Sequence, residues 1–242
     1  MSAATQDQRA QVSKSERLKR VPVLAQLPEP VIERISQACS WRDVAPGSQI
    51  LGYLEPSSDV CFLVAGKVRV IVYSYEGKAV LFADLSAGAM FGEIAAIDGK
   101  PRSASVEALE ACTVARLSKD QLESLLIEEP RLALAMLRHF AGDVRRLSDR
   151  VLEFSTLAVQ NRIHAELLRL ARAAAGADAR EALLSPSPSL SDIAGRISTH
   201  REAVSRELSR LGGLGLLRRE GRDLRVADIS RLAALVAEAK GD

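Results

Sequence analysis

With 242 residues, 47% of them hydrophobic, and a formal net charge of +2, the chain can bury one or two cores but is too near neutral for charge alone to indicate nucleic acid. No run approaches the roughly 18 apolar residues of a membrane span, and the polar stretch up to Arg20 has no apolar signal segment, so the expected compartment is the cytoplasm, without a membrane partner. Cys39, Cys61 and Cys112 are scattered without C-x-x-C spacing, and His139, His164 and His200 are isolated, which predicts reduced thiols and no metal or haem centre.

The first half reads as β-rich. Cys61–Val64, Val68–Tyr73, Val80–Phe82 and Thr113–Leu117 are short β-branched runs, several alternating apolar with polar. Turn residues separate them at 56–59, 65–67, 75–77 and 86–88. Short strands at this spacing predict an antiparallel sandwich or jelly roll.

Between the third and fourth runs lies MFGEIAAIDGKPRSASVEA, residues 90–108. Gly92 lets a ligand approach the backbone, and the Glu93 carboxylate can accept from a sugar hydroxyl. Arg102 brings a planar cationic fork suited to phosphate oxygens, followed by the Ser103 hydroxyl and backbone N–H donors through Ala104 and Ser105. An acid for a sugar and one cation for one phosphate describe a nucleotide; a surface ion pair between Glu93 and Arg102 is the alternative. The string resembles the phosphate-binding cassette of cyclic-nucleotide-binding domains, F-G-E-[LI]-A followed by P-R-[STA]-A-[ST]-V, matched at Phe91 to Ala95 and at Pro101 to Val106. The resemblance implies a β-roll in which Glu93 takes the ribose 2′-OH and Arg102 neutralises the cyclic phosphate. It further implies that Ser103 and nearby amides complete a cradle to which Gly92, Ile94, Ala95 and Ala104 also belong.

From Pro130 the pattern becomes a long helix. Leu137, Phe140, Val144, Leu147, Val151, Phe154 and Ala158 keep 3,4 spacing, the seam of a coiled coil, with charged residues on the other faces. The turns around Leu132 to Met136 are expected to pack on their own β-roll, and the later ones on a parallel partner helix. Ser155, Thr156 and Asn161 predict a break near 154–161, followed by an amphipathic helix over 162–175 and a Ser/Pro loop at 185–189. A second domain is expected to start near residue 161, where 14 Lys and Arg stand against 11 Asp and Glu.

In LSDIAGRISTHREAVSRELSRLG, Leu190, Ile193, Ala194 and Ile197 form one short helix. Ser198-Thr199 form a turn, and Val204, Leu208 and Leu211 are the inner face of a second helix, which is helix-turn-helix spacing. A T-x-x-E capping box from Thr199 to Glu202 is expected to start that second helix. Its exposed N-terminal end then carries Arg201, Glu202, Ser205 and Arg206, with Ser191 and His200 beside it, as candidate DNA contacts. Arginine can pair with guanine and glutamate can accept from cytosine. An i,i+4 pair between Glu202 and Arg206 is the bland alternative, worth about 0.3 kcal/mol. Leu216 to Val226 reads as a β-hairpin wing whose Arg218 and Arg219 suit phosphate contacts.

The segment Arg201–Arg206 resembles the R-E-[TA]-V-[SG]-R recognition helix of the cyclic-AMP receptor and fumarate-nitrate regulator superfamily, with Ser198 where the turn commonly has glycine. The resemblance implies an α+β chain: a flexible 1–20, a cyclic-nucleotide-binding β-roll over 21–130, a dimerisation helix and hinge over 131–160, and a winged helix-turn-helix over 161–242. It implies a homodimeric transcriptional regulator, not an enzyme. Its ligand would be cyclic AMP, cyclic GMP or both, and its partners double-stranded palindromic DNA with TGTGA-like half-sites and RNA polymerase. Register places Leu147 and Ser148 at the purine, where the cyclic-AMP receptor has Thr-Ser, leaving one hydroxyl to meet either base. A protein-regulating module, as in cyclic-nucleotide-dependent kinases and channels, or a same-fold regulator that binds DNA without ligand or senses another molecule, remain as alternatives.

Overall fold

The computed structural model describes residues 13–73, 79–176 and 178–241; the expected turn at 75–77 and residues 1–12 lie outside them. The chain packs as two units, one of residues up to 72 with 82–142, the other of 143 onward with 73–81.

In the first unit, helices α1 (Lys14–Leu18) and α2 (Glu29–Ala38) precede strands β1 (Ser40–Val44), β2 (Gln49–Leu51), β3 (Val60–Ala65), β4 (Lys67–Tyr73), β5 (Ala79–Ser86) and β6 (Met90–Phe91). A short helix α3 (Glu93–Asp98), strands β7 (Ser105–Ala108) and β8 (Cys112–Leu117), helix α4 (Lys119–Glu128) and the start of α5 (Pro130–Thr156) follow. The strands form two four-stranded sheets, ordered β1-β8-β3-β6 and β2-β7-β4-β5, with antiparallel registers such as Phe62 opposite Ala115 and Val70 opposite Val106. Strand β3 is buried along Val60–Val64, which is why it reads as an unbroken apolar run instead of an alternating one. Cys61 and Leu63 join Leu51, Val68, Phe91, Val106 and Val114 between the sheets. Val60, Phe62 and Val64 face the other way, into a core with Leu18, Ile32, Ile35, Leu122, Leu132 and Met136 of the helices. Leu132 and Met136 thus pack on their own β-roll, as the sequence predicts, and Phe140 leans partly on the same core.

All three cysteines are free and buried, and burial pushes the thiols of Cys39 and Cys61 up to about 12, so they are packing residues. Among the described residues no group of three or more His, Cys, Asp or Glu could hold a metal ion, and no helix is long and apolar enough to cross a membrane.

The second unit contains the rest of α5, then α6 (Val159–Ala175), β9 (Ala182–Leu184), α7 (Leu190–Arg196), α8 (Arg201–Gly213), β10 (Leu217–Glu220), β11 (Asp223–Val226) and α9 (Ile229–Lys240). Helix α5 ends where the Ser155 and Thr156 hydroxyls bond back to the carbonyls of Val151 and Leu152 and Ala158 turns extended at φ −60°, ψ 156°. The 3,4-spaced apolar stripe expected to form a seam therefore stops at Phe154: Ala158 caps α6 and does not belong to it, and α6 begins at Val159, earlier than the expected 162. Leu137, Val144, Leu147, Val151 and Phe154 are exposed along α5.

Buried ionic contacts lock the break. Arg150 donates to the Glu166 carboxylate at 2.8 Å and to the Arg196 carbonyl, while Arg169 bridges Glu166 and Glu153 at 2.8 Å each. Lys240 of α9 also reaches Glu153, at 3.2 Å. The guanidinium groups of Arg150 and Arg162 lie over the Phe154 ring. A core of Ile163, Leu167, Ile193, Val204, Leu211, Leu217, Val226 and Leu232 closes the unit, and β9 adds a third strand to the wing that the sequence reading missed.

Candidate functional site

The cassette folds as strand, helix, turn and strand. Gly92, at φ 77°, starts α3 in the left-handed region, and a Cβ there would sit 2.8 Å from Arg102 Nη1 and 3.1 Å from the Asp59 carbonyl oxygen. Glycine is thus required for Arg102 to lie against the backbone. Arg102 is 2% exposed, and each of its nitrogens donates to the protein: Nε to Ser57 Oγ at 2.8 Å, Nη1 to the Gly92 carbonyl at 2.7 Å, and Nη2 to the Asp59 carbonyl at 2.9 Å. The loop bearing these acceptors is stitched to the cassette by Leu54 N–H to the Arg102 carbonyl, Arg102 N–H to the Glu55 carbonyl, and Tyr53 N–H to Ser105 Oγ.

All three acceptors are neutral. Among the described residues Arg102 has no carboxylate at ion-pair distance, because the Asp59 carboxylate turns to Arg116 at 3.0 Å. Burial lowers the pKa of Arg102, but an arginine stays charged. The result is a buried cation that lacks an anion and still has two of its five N–H groups to offer. Glu93, half-buried at the first turn of α3, has its carboxyl pushed up by burial, against weaker pulls from His139 and Arg102. It makes no ion pair with Arg102, so the surface-pair alternative does not hold. Ile94 and Ser103 are exposed, Ala95 is buried and Ala104 half-buried, while the Ser105 hydroxyl is used by the loop. Leu147 and Ser148 lie on the part of α5 that belongs to the second unit; both are exposed, and Ser148 bonds back to the Val144 carbonyl.

In the second unit, α7 and α8 flank a turn at residues 197–200. The expected Thr199–Glu202 capping box is absent: Thr199 is buried with its N–H on the Ala194 carbonyl, His200 is the N-cap, and Glu202 accepts from Arg201 at 3.0 Å. Glu202 thus pairs with Arg201 in place of the i,i+4 contact with Arg206 that stood as the bland alternative. The true box belongs to α7, where Ser189 Oγ accepts from Asp192 N–H at 3.0 Å. Helix α8 is started by the turn, in which Ser198 holds φ 51°, a conformation glycine adopts without strain.

Ser191, Arg201, Glu202, Ser205 and Arg206 come together with Leu190 around an open cleft of about 620 Å³, and His200 is exposed beside them. Arg218 and Arg219 are exposed on the wing, whereas Arg225 is held by Glu220 at 2.6 Å and Glu181 at 3.2 Å. A turn through Gly221 and Arg222 joins the wing strands.

Comparison with known proteins agrees with both halves. Residues 41–129 match the cyclic nucleotide-binding domain family, and residues 161–235 the Crp-like helix-turn-helix domain family. The chain belongs to the cyclic-AMP receptor/fumarate-nitrate regulator (CRP/FNR) superfamily. It is 24% identical over 191 residues to a CRP-like cAMP-activated global transcriptional regulator of Mycobacterium tuberculosis, covering 79% of this chain and 85% of that one. It is 28% identical over 145 residues to the cAMP-activated global transcriptional regulator CRP of Salmonella typhimurium, covering 60% and 69%. The solved structure of FixK2 from Bradyrhizobium japonicum superposes with a TM-score of 0.70 at 25% identity, over 81% of this chain and 96% of that one.

Within this CRP/FNR member, sequence reading missed Ser57 and Asp59 as holders of Arg102 and His139 as a neighbour of Glu93. Separations of 43 to 46 residues leave no local periodicity that could reveal such contacts.

Proposed function

We propose that the chain is a homodimeric transcriptional regulator that binds a cyclic nucleotide through Glu93 and Arg102 and DNA through the N-terminal end of α8. The observation that carries this reading is Arg102, a buried guanidinium without a carboxylate partner among the described residues, placed in a cassette whose acid can accept from a ribose. Gly92, Ile94, Ala95, Ser103 and Ala104 complete the nucleotide site. Leu147 or Ser148 meets the purine, and with only one hydroxyl available there, cyclic AMP and cyclic GMP bind within about tenfold of each other, or 1.4 kcal/mol. Residues 21–130 form the ligand domain, 131–160 the dimerisation helix and bend, and 161–242 the DNA-binding domain. The exposed seam Leu137, Val144, Leu147, Val151 and Phe154 meets its copy in a second chain.

Arg201, Glu202, Ser205 and Arg206 read bases in TGTGA-like half-sites about one DNA turn apart, roughly 34 Å. Ser191, His200, Arg218 and Arg219 contact the backbone. Ligand binding changes how the two α8 helices are presented, and DNA binding reciprocally raises ligand affinity. RNA polymerase is the expected further partner, in the cytoplasm.

The deciding experiment combines calorimetric titration with cyclic AMP and cyclic GMP and a DNA mobility shift with and without each. Mass spectrometry of small molecules carried through purification runs in parallel. Nucleotide binding that strengthens the shift supports the reading; a shift indifferent to both, or a different bound molecule, supports a same-fold regulator with another input. A hundredfold preference for one nucleotide would overturn the equal use of the two purines.

A further inference from the structure

Helix α8 buries a carboxylate where an apolar residue would suffice. Its inner face is Val204, Glu207 and Leu211, with Leu208 half-buried, and its outer face is Arg201, Glu202, Ser205, Arg206 and Ser209. Glu207, 7% exposed, meets His164 of α6, 2% exposed, with Nε2 to Oε1 at 2.5 Å. Arg210, one turn on, donates from Nε to both oxygens at 3.0 Å and from Nη2 to Oε1 at 2.7 Å. A carboxylate only accepts, so in its short contact with Glu207 the His164 Nε2 donates; Arg210 Nη2, itself only a donor, stands 3.3 Å from the same nitrogen, and Nδ1 is buried without a hydrogen-bond partner. Burial pushes the Glu207 carboxyl up, but bonds from Arg210 and His164 outweigh it and hold it ionised.

Such a pair is a poor device for stability, because two packed apolar side chains would serve as well or better. Its distinctive property is direction: Glu207 is met by Arg210 from its own helix and by His164 from α6, and a hydrogen bond to α6 is lost when α8 turns. The other members of the core that these helices share, Ile163, Leu167 and Leu168 of α6 and Val204 and Leu211 of α8, are apolar and have no directional bond with which to fix a rotation. A one-residue slip of α8 would turn its outer face by about 100° and carry Arg201, Glu202 and Arg206 away from their direction.

We infer that His164 and Glu207 are positioning residues for DNA reading: the buried polar pair fixes the rotation of the recognition helix, and with it the side chains that face the bases. The inference rests on the DNA-reading role of α8. It is tested in the full-length chain with the double substitution His164→Leu/Glu207→Leu, which removes both polar groups together, and with Glu207→Gln, which keeps an acceptor for His164. Three readouts are urea unfolding, amide hydrogen exchange in α8, and affinity for a duplex selected from a random pool against a scrambled duplex.

The double variant is expected to retain wild-type unfolding, exchange faster in α8, and lose at least about tenfold of its selected-to-scrambled ratio, while Glu207→Gln keeps that ratio. A double variant with wild-type discrimination and wild-type α8 protection would overturn the inference, as would equal loss in Glu207→Gln. If the wild-type chain itself fails to prefer any duplex, the DNA reading fails, and with it the role assigned here. Unchanged α8 protection in the double variant would then separately dismiss the pin.

Discussion

Arg150 on α5 and Glu166 on α6 meet at 2.8 Å across the break between their helices, and the Glu166 carboxylate is almost wholly removed from solvent. The same carboxylate accepts from Arg169, and Arg196 of α7 lies 3.6 Å away, so one acid ties together three helices. Burial pushes the Glu166 carboxyl up, yet the neighbouring guanidinium groups outweigh it and hold it below the usual glutamate range. The end of α5 therefore belongs to the winged helix as one ionic assembly, and the bend at Leu157–Ala158 is clamped.

Replacing Glu166 by alanine leaves three arginines facing a vacated site. Loss of hydrogen bonds to a charged group predicts destabilisation by about 1.5–3 kcal/mol. Urea unfolding of the full-length variant measures it, and a change below 0.5 kcal/mol would show that water replaces the acid, roughly the range of an ordinary surface substitution.

Glu166 and Glu207 set the acid limb of stability. Both have folded-state pKa values below the unfolded glutamate value of about 4.3, so their contribution is complete above that pH and lost as pH falls through the folded values. The part of the unfolding free energy due to these two acids should be level above about pH 4.3 and decline below it. Glu166→Gln should shallow that decline, and an unaltered slope would refute the assignment.

Glu93 works with the opposite sign. Burial raises its pKa, so the carboxylate proposed to accept from a ribose hydroxyl is lost, on acidification, at a higher pH than an ordinary glutamate would lose it. Nucleotide affinity should fall on acidification before an exposed carboxylate would titrate, and Glu93→Gln should weaken binding while abolishing that pH dependence. Calorimetric titration across pH 4–8 reads both.

Arg102→Leu should remove nucleotide binding and also lower the stability of the β-roll by about 1–3 kcal/mol, because the Gly92 and Asp59 carbonyls lose their donor. The double effect follows from Arg102 being a buried strut as well as a cation. Unchanged affinity in the folded variant would sink its ligand role.

Ser198 holds a left-handed conformation that costs a non-glycine residue about 1–2 kcal/mol, more than the 0.4–1 kcal/mol by which glycine loosens the unfolded chain. Ser198→Gly should stabilise the second unit by roughly 0.5–1 kcal/mol, read as a higher urea midpoint at constant slope. On the DNA side, Glu202→Ala should relax discrimination at one base pair per half-site by about 1–3 kcal/mol, whereas Arg218→Ala or Arg219→Ala should weaken binding to every duplex alike.

Local chemistry was legible in the sequence. The β-branched runs between turn residues, the F-G-E and P-R-S-A-S-V strings around Arg102, the apolar spacing of α5 and the paired inner faces of α7 and α8 depend on neighbours within a few residues, where period and composition speak directly. The same nearness misled at Thr199–Glu202, because a T-x-x-E spacing says nothing of whether the threonine is buried; its N–H was already committed to Ala194. Packing decided the rest. That Arg102 is caged by Ser57, Gly92 and Asp59, that Glu166 gathers three arginines, and that His164 finds Glu207 are contacts between residues mostly tens of positions apart, made because a buried charge must find partners wherever the fold brings them. Sequence period names the face a residue occupies, and only the folded chain says what stands opposite it.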